Sequence, residues 1–392
     1  MISVQQAKRI IQDAMPDSKI INLPLREALG YTLAKEVVAT VDIPNFEQSS
    51  MDGYAFKFED KDEHLTIIGE MPAGATHQIS IDNGQATRIF TGAPLPEGAD
   101  TVIMQEKVSV QNNALTLQDD KISLGLNVRP KGAEVTIGEV AMVSETYLSA
   151  AALGFLAGIG CTHVNVYDAP KVAIILTGNE LQEPGQPLAF GQVYEANSVL
   201  LTAALNKAGI TGITILRSED NPETLAFVLR EGLDQNDVVL LNGGVSVGDY
   251  DFVVGAAHAC GVEQKFHKIK QKPGKPLFFG TVENKLVFGL PGNPSSGLTC
   301  FYEYVLPALE NMMHKEASLI NTTAITTHNY NKPTGLTHFL KAFYKGGRVT
   351  PLNAQESFRL HSFAQANCFI VLNEESTGCD ANDEVEVHLL AI

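Results

Sequence analysis

The sequence predicts a multidomain protein in which a three-layer α/β domain with a mainly parallel sheet is preceded and followed by β-rich regions. Three observations support this fold class. The chain has 392 residues, of which 44% are hydrophobic and 19% charged, which suits roughly two to four globular domains. Strand-like and helix-like patterns alternate after Pro170. Short apolar runs broken by Gly, Pro and Asn fill residues 42–139.

The N-terminus predicts a helix. Ser3 and Gln6 have the spacing of a capping box, in which each side chain accepts a bond from the other residue's backbone N–H. Apolar residues follow at helical spacing, namely Ala7, Ile10, Ile11 and Met15. From about residue 42 the pattern changes to the short runs 65–68, 101–104 and 114–117, which predict a β-rich module.

The second half of the chain predicts alternating strands and helices. The apolar run 172–176 is typical of a strand buried on both faces of a parallel sheet. Further strands are expected over 213–216, 238–241 and 286–288. Helices are expected over 198–208, after Asn221 and Pro222 as cap and first residue, and over 295–309. Beyond about residue 317 short alternating runs return and end in a strand over 385–390.

Charge and composition exclude several classes of function. Lys and Arg number 28 and Asp and Glu 45, a net charge of −17, so we expect neither nucleic acid nor an anionic membrane as a partner. The N-terminus does not resemble a signal peptide, and the longest apolar stretch, 150–160, is too short to span a bilayer. The five scattered cysteines form no Cys-x-x-Cys pair, and no His-Glu-x-x-His occurs. A cytoplasmic protein is expected.

Glycine-rich loops follow three predicted parallel strands, at residues 177–180, 242–251 and 289–297. Such loops allow close backbone approach, and ligands of parallel sheets bind beyond the strand ends. We therefore predict a phosphate-type site, rather than ordinary tight turns. The candidate contacts in these loops are Gly243, Gly244, Ser246, Gly248 and Ser295. Neither Gly-x-Gly-x-x-Gly nor a P-loop ending is present.

A lysine-rich segment lies at residues 268–276. It contains Lys268, Lys270, Lys272 and Lys275 in a strongly acidic protein. Strand-like alternation would put the first three on one face, which favours a strand that binds an anion over a solvated strand face.

Carboxylates are also concentrated near the strand ends, at Glu180, Asp220, Asp249 and Asp251. Oxygen ligands beside a phosphate site suit Mg²⁺, and Asp220 and Asp251 are the candidate metal ligands. Helix capping and solvation form the alternative, which fits Asp249 better than Asp251.

Several segments together resemble the MoeA family of molybdopterin molybdenumtransferases, which includes the E domain of gephyrin. The first is Ser50-Met51-Asp52-Gly53-Tyr54-Ala55. The resemblance continues, in order, through the segments 91–94, 127–129, 177–181, 243–248, 272–276, 290–294 and 365–368. It covers essentially the whole chain.

The resemblance implies a molybdopterin molybdotransferase that converts adenylylated molybdopterin and molybdate into molybdenum cofactor and AMP, with Mg²⁺. It implies a homodimer whose active site combines the β-rich module of one subunit with the α/β domain of the other. Other proteins of cofactor biosynthesis would be partners. Asp52 and Thr91 would act from the β-rich module, and Glu180, Asp220 and Asp251 from the α/β domain. Lys268 and Lys272 would hold anionic oxygens, while Pro291 and Pro294 would shape the pocket.

The resemblance also implies domain boundaries. We expect an N-terminal region over 1–168, with a linker subdomain and a β-rich module inserted at about 40–138. An α/β domain of the molybdopterin-binding type would occupy 169–312, and a β-barrel-like domain 313–392.

The C-terminal block departs from the family pattern, with Lys341 where Arg is frequent and Glu356 where Gly is usual. Lys cannot replace the bidentate anion contacts of Arg, which argues against a substrate role for the last domain. Asn242 stands in place of a family Ser, and Gly132-Ala133-Glu134 in place of Gly-Glu-Asp. A scaffold protein on the same fold, or a relative that handles tungstate or is inactive, forms the alternative.

Overall fold

The structure, a computed structural model, describes residues 1–244 and 252–390. The chain forms two compact units. One comprises Leu23–Leu29 and Leu33–Val164, and the other comprises Met1–Asn22, Gly30–Thr32 and the chain from Asn165 onward. The chain passes from one unit to the other within the strands Ile20–Pro24 and His163–Tyr167 and at both ends of the short segment Gly30–Thr32.

The unit that includes Leu33–Val164 is built on a six-stranded sheet. Its strands, in spatial order, are Thr101–Met104, Gly53–Phe56, Gln85–Ile89, Leu65–Met71, Ala114–Leu117 and Val108–Gln111. Two small antiparallel pairs add Gln48–Ser49 with Val128–Arg129, and Val37–Val38 with Val140–Met142. Short 3-10 turns lie at Leu25–Glu27, Phe58–Asp60 and Gln105–Lys107, and one helix at Ala150–Gly158. This confirms the β-rich module.

The other unit contains a six-stranded sheet of α/β type. Its spatial order is Ile213–Ser218, Val172–Thr177, Val238–Asn242, Lys285–Leu290, Phe278–Val282 and Glu263–His267. The first four strands are parallel, and Phe278–Val282 pairs antiparallel with both of its neighbours, so the prediction of a mainly parallel sheet is confirmed.

Helices cover both faces of this sheet. One face packs against Val4–Asp13, Asn197–Lys207 and the helical stretch from Pro294–Cys300 to Leu306–Met312. The opposite face packs against Pro222–Gln235 and Phe252–Ala259. Alternate residues of one strand enter the two cores, as with Ile174 and Ile175, because successive strand side chains point to opposite faces. Three layers result.

The C-terminal part forms a closed five-stranded barrel. Around the barrel the strands are Thr337–Lys345, Arg348–Pro351, Ile320–Thr326, Glu384–Leu389 and Cys368–Leu372, and the last pairs with the first. Gln271–Lys272 adds to Thr337–Lys345 in parallel. The C-terminal part also contains the strand pair Tyr330–Asn331 with Gly378–Cys379 and a short helix at Leu360–Phe363. In the α/β part, a short pair joins Leu181–Gln182 to Val193–Tyr194.

One predicted helix changes type along its length. The stretch over 295–309 is helical throughout, as predicted, but a π-helix, Phe301–Val305, lies between the α-helices Pro294–Cys300 and Leu306–Met312. Pro307 has no backbone N–H to donate to the carbonyl four residues earlier, at Glu303. The Glu303 carboxylate is buried and accepts bonds from Lys8 Nζ at 2.6 Å and His388 Nδ1 at 2.8 Å.

None of the helices over 1–244 and 252–390 combines the length and apolar character needed to cross a bilayer.

Candidate active site at the carboxyl edge of the parallel sheet

A cavity of about 850 Å³ opens where the parallel strands end. The strands Val172–Thr177, Val238–Asn242 and Lys285–Leu290 are neighbours in the sheet, so the loops that follow them meet at one edge. The predicted site residues that line the cavity are Glu180, Asp220, Gly243, Gly244, Lys275, Pro291 and Pro294. The structure therefore brings parts of all three loops into one cavity.

Two asparagine side chains tie these loops together. Asn242 is almost fully buried, and its Nδ2 donates to the carbonyl oxygen of Pro291 at 3.2 Å. Asn197 Nδ2 donates to Asn242 Oδ1 at 2.7 Å and to the carbonyl oxygen of Gly292 at 2.8 Å. The Asn that replaces the family Ser thus holds two cavity loops in register.

Gly243 lies where the second loop crosses the first. Its φ is +95°, and a Cβ there would lie 2.6 Å from the carbonyl oxygen of Thr177 and 2.7 Å from its Oγ1. Only glycine fits this conformation and this approach. Gly243 therefore serves close backbone packing between the two loops.

Glu180 and Asp220 supply the carboxylates of the cavity. Glu180 is exposed, and a Cβ at Gly178 would lie 2.9 Å from Glu180 Oε2. Asp220 Oδ2 accepts the backbone N–H of Asn179 at 3.4 Å, and Asn179 Oδ1 accepts the N–H of Asp220 at 3.4 Å. These reciprocal bonds join the loops after two neighbouring strands.

The donor set partly fits a magnesium ion. Mg²⁺ binds one or two carboxylates together with phosphate oxygens and waters, and Glu180 and Asp220 provide carboxylates on one cavity. Within residues 1–244 and 252–390, no three His, Cys, Asp or Glu side chains cluster as a complete protein site. An ion held by Glu180 and Asp220 would therefore need further oxygens from the substrate, from water or from residues outside the described ranges.

The lysine segment does not form the predicted continuous strand. The segment forms only the two-residue strand Gln271–Lys272 and an isolated bridge from Ile269 to Ile2. The chain folds back through bonds from Lys268 N–H to Leu277 O and from Ile269 N–H to Lys275 O. Lys268 has a φ of +75°, which breaks the alternation on which the prediction rested.

The lysines consequently have different surroundings. Lys275 lines the cavity, whereas Lys268 and Lys272 do not. Lys270 Nζ lies 3.2 Å from Glu374 Oε2 in an ion pair. One lysine of the segment, rather than a row of three, therefore faces the cavity.

The third loop leads into the helix Pro294–Cys300. Pro291 and Pro294 line the cavity. Ser295 is fully buried, and its hydroxyl has no hydrogen-bond partner among the described residues. Ser295 is absent from the cavity lining.

The β-rich unit contains the predicted Asp52 and Thr91. Asp52 Oδ1 accepts the backbone N–H and the hydroxyl of Thr91, each at 2.7 Å. The Thr91 N–H, then its hydroxyl and then the charge of Arg88 lower the pKa of Asp52. Both residues are exposed, so the structure presents an ionised carboxylate at the surface of this unit.

Gly53 explains the local sequence beside Asp52. A Cβ at Gly53 would lie 1.8 Å from the carbonyl oxygen of Ile103 on the adjacent strand. The Asp-Gly pair therefore combines an exposed carboxylate with a close approach of two neighbouring strands, at which no residue larger than glycine fits.

Three predicted residues, Ser246, Gly248 and Asp251, lie outside the described residues, as does Asp249. A second cavity, of about 880 Å³, has an apolar lining that includes Val199, Leu200 and Phe363. It contains none of the predicted site residues.

Family models match three successive parts of the chain. They are the MoeA N-terminal region (domain I and II) over residues 2–160, a probable molybdopterin binding domain over 173–311, and the MoeA C-terminal region (domain IV) over 323–390.

Relatives match over the full length. A molybdopterin molybdenumtransferase of Haemophilus influenzae is 33% identical over 100% of both chains, and one of Staphylococcus epidermidis is 32% identical over 99% of this chain and 95% of its own. A molybdopterin biosynthesis MoeA protein from Pyrococcus horikoshii superimposes with a TM-score of 0.86 at 30% identity, covering 99% of each chain. With its own cavity at the sheet edge and these matches along its whole length, the chain belongs to the MoeA family of molybdopterin molybdenumtransferases.

Proposed function

We propose that the chain catalyses molybdenum insertion, converting adenylylated molybdopterin and molybdate into molybdenum cofactor and AMP. The observation that carries this proposal is the cavity at the carboxyl edge of the sheet, where Glu180, Asp220 and Lys275 meet. The full-length relatives named as molybdopterin molybdenumtransferases support it.

The lysines and loop backbones would hold the anionic groups of the substrates. The Lys275 ammonium stabilises negative charge that develops on the phosphoryl group as its link to AMP is cleaved. Helix N-termini that follow the loops favour the same charge. Further substrate contacts are proposed for Gly243, Gly244, Ser246, Gly248, Lys268, Lys272, Pro291 and Pro294.

The carboxylates would hold Mg²⁺, with Asp220 and Asp251 as ligands and Glu180 beside them. When bound, Mg²⁺ neutralises charge on the phosphoryl oxygens. Asp220 is preorganised for this role by the bonds that join its backbone and carboxylate to Asn179. The carboxylates would otherwise repel an anionic substrate.

We propose a homodimer with a shared active site, in which Asp52 and Thr91 of one subunit act at the cavity of a second copy. The exposure of both residues supports this arrangement, since an ionised Asp52 is available at the surface of its unit. Exchange with other proteins of molybdenum cofactor biosynthesis is proposed as well.

The cysteines support a cytoplasmic location and a role for substrate sulfur. All five are free thiols, and burial raises the pKa of Cys300, Cys368 and Cys379. Buried neutral thiols are poor metal ligands, so the sulfurs that receive molybdenum would come from molybdopterin itself.

The proposal is tested by incubating the purified protein with adenylylated molybdopterin and Mg²⁺, with and without molybdate, and measuring AMP. We expect AMP release that depends on molybdate and stops when EDTA removes Mg²⁺. Replacement of molybdate by tungstate tests selectivity. Absence of AMP from folded protein would contradict the proposal and favour a scaffold or inactive relative.

The dimer is tested by mixing two inactive variants, Asp52→Ala and Asp220→Asn. A shared site predicts that mixed dimers recover activity, because each contains one site with both native residues. No recovery after verified subunit exchange would show that each subunit works alone.

A further inference from the structure

The C-terminal barrel contributes an aromatic ring to the cavity. Phe358 lines the same cavity as Glu180, Asp220 and Lys275, and 61% of its surface is exposed. Exposure of a phenyl ring is unfavourable, at about 25 cal/mol for each Å² of apolar surface left in water. Such a ring in a cavity that also contains two carboxylates and an ammonium therefore requires an explanation.

The segment that carries Phe358 is held by a buried lysine. Lys341 is 1% exposed, and its Nζ donates to the carbonyl oxygens of Ala354 at 2.8 Å, Arg359 at 2.9 Å and Glu356 at 3.5 Å. The Lys341 ammonium thus brackets Phe358 on both sides along the chain. Its bonds are all to carbonyl oxygens of this segment, so Lys341 positions the loop rather than a substrate anion.

A second residue of the barrel reinforces this clamp. Gln355 Nε2 donates to the carbonyl oxygens of Leu352 at 2.7 Å and of Lys341 at 2.8 Å, and its Oε1 accepts the Lys341 N–H at 3.0 Å. The loop is therefore held by side chains at its start as well as by the ammonium. Phe358 is exposed on a restrained backbone.

The loop is also joined directly to the cavity. Asn293 Nδ2, from the loop after the strand Lys285–Leu290, donates to Ser357 Oγ at 3.1 Å. The Arg359 guanidinium lies 5.6 Å from the centre of the Phe358 ring and 3.3 Å from a carboxylate oxygen of Glu356. The ring therefore lies at the cavity, within cation–π distance of the Arg359 guanidinium.

We infer that Phe358 is a stacking platform for a planar heterocycle of the substrate, and that Lys341 is a positioning residue for it. This inference rests on the proposed function, whose substrate contains both an adenine and a pterin ring. It assigns the last domain a substrate contact through an aromatic face. The expectation drawn from Lys341, that this domain has no substrate role, considered charge contacts alone.

The test compares Phe358→Ala, Phe358→Leu and Phe358→Trp with the wild type. Equilibrium binding of AMP and of neopterin is measured for each, together with KM and kcat for AMP release from adenylylated molybdopterin. Phe227→Ala is the matched control, because Phe227 is 67% exposed on the helix Pro222–Gln235 and does not line the cavity.

Loss of the ring should weaken binding of one probe about tenfold, in the range known for base–aromatic stacking. We expect Phe358→Ala and Phe358→Leu to raise KM by a similar factor with little change in kcat. Phe358→Trp, which keeps an aromatic ring, should have the KM of the wild type. If only AMP binding is weakened, the ring stacks on adenine. If only neopterin binding is weakened, the ring stacks on the pterin. Phe227→Ala should match the wild type.

The proposal is overturned if Phe358→Ala binds both probes as tightly as the wild type, or if Phe358→Leu binds as tightly as Phe358→Trp. It is also overturned if the wild type binds neither probe. If the wild type binds a probe through Phe358 but releases no AMP, the platform stands and the proposed insertion reaction fails. The two conclusions are therefore separable.

Discussion

At the scale of single residues, the exposed carboxylate of Asp52 depends on Thr91. Thr91 donates to one Asp52 oxygen through both its N–H and its hydroxyl, and these bonds stabilise the charged form. The pKa of Asp52 is therefore below its usual value, so the carboxylate stays ionised throughout the neutral and mildly acidic range.

We predict that Asp52→Asn lowers the rate of AMP release by about 100-fold, the lower range for loss of a positioned acid–base group. Asn keeps an oxygen that can accept from Thr91 but removes the charge. The melting temperature should change little, because Asp52 is exposed. Asp62→Asn, at another exposed carboxylate of the same unit, is the control. Full activity of Asp52→Asn would remove Asp52 from the site.

The lysines offer a second prediction at this scale. Lys275→Ala should raise KM for adenylylated molybdopterin about tenfold, because a charge-assisted hydrogen bond contributes about 1.5 kcal/mol or more. Lys270→Ala should leave KM unchanged, since Lys270 pairs with Glu374. Steady-state kinetics of both variants measure this. Equal effects would mean that the lysine segment acts through its general charge.

The cavity residues that follow parallel strands can be predicted from the sequence, whereas those elsewhere in the chain cannot. Glu180, Asp220 and Gly243 follow parallel strands, and the topology of such sheets brings them together. Asn197 and Phe358 carry no comparable signal. Asn197 has the appearance of a helix-start residue, and Phe358 lies in a domain whose approach to the cavity depends on tertiary folding.

At the scale of elements, strong local signals correspond to real helix starts. The capping box of Ser3 and Gln6 forms, and Asn221 caps the helix that begins at Pro222. The lysine segment fails as a strand because the Gln271 side chain bonds the carbonyl oxygens of Pro273 and Gly274, each at 3.1 Å. These contacts stabilise a turn that alternation of residue types cannot reveal.

The strand Thr337–Lys345 carries a pH-sensitive group. His338 is 3% exposed, and burial, followed by the charges of Lys332 and Lys272, lowers its pKa to about 4. The unfolded chain binds this proton near pH 6.5. The contribution of neutral His338 to the free energy of unfolding is therefore fully present above about pH 6.5 and is lost as the pH falls towards 4.

We predict that His338→Gln abolishes this part of the pH dependence. Between pH 7.5 and pH 4, the free energy of unfolding of the wild type should fall by about 3 kcal/mol more than that of the variant. Urea unfolding at both pH values measures the difference. Parallel loss of stability in the two proteins would show that His338 does not resist protonation in the fold.

At the scale of the whole molecule, composition and residue patterns predict which regions form strands or helices, but not that the C-terminal strands close into a barrel. The alternating runs after residue 317 predict strands, whereas closure into a barrel depends on the pairing of Thr337–Lys345 with Cys368–Leu372. That pairing joins residues far apart in sequence, which local patterns do not record. The proposed boundaries at residues 168 and 312 likewise rest on the family resemblance.

The central claim is that this chain transfers molybdenum to molybdopterin at the cavity beyond the parallel strands. A single-turnover experiment that counts molybdenum bound to molybdopterin and AMP released tests it most directly. We predict that the wild type yields the two in a one-to-one ratio, and that Asp220→Asn yields neither. AMP released by the wild type without transfer of molybdenum would contradict the account and identify a hydrolase instead.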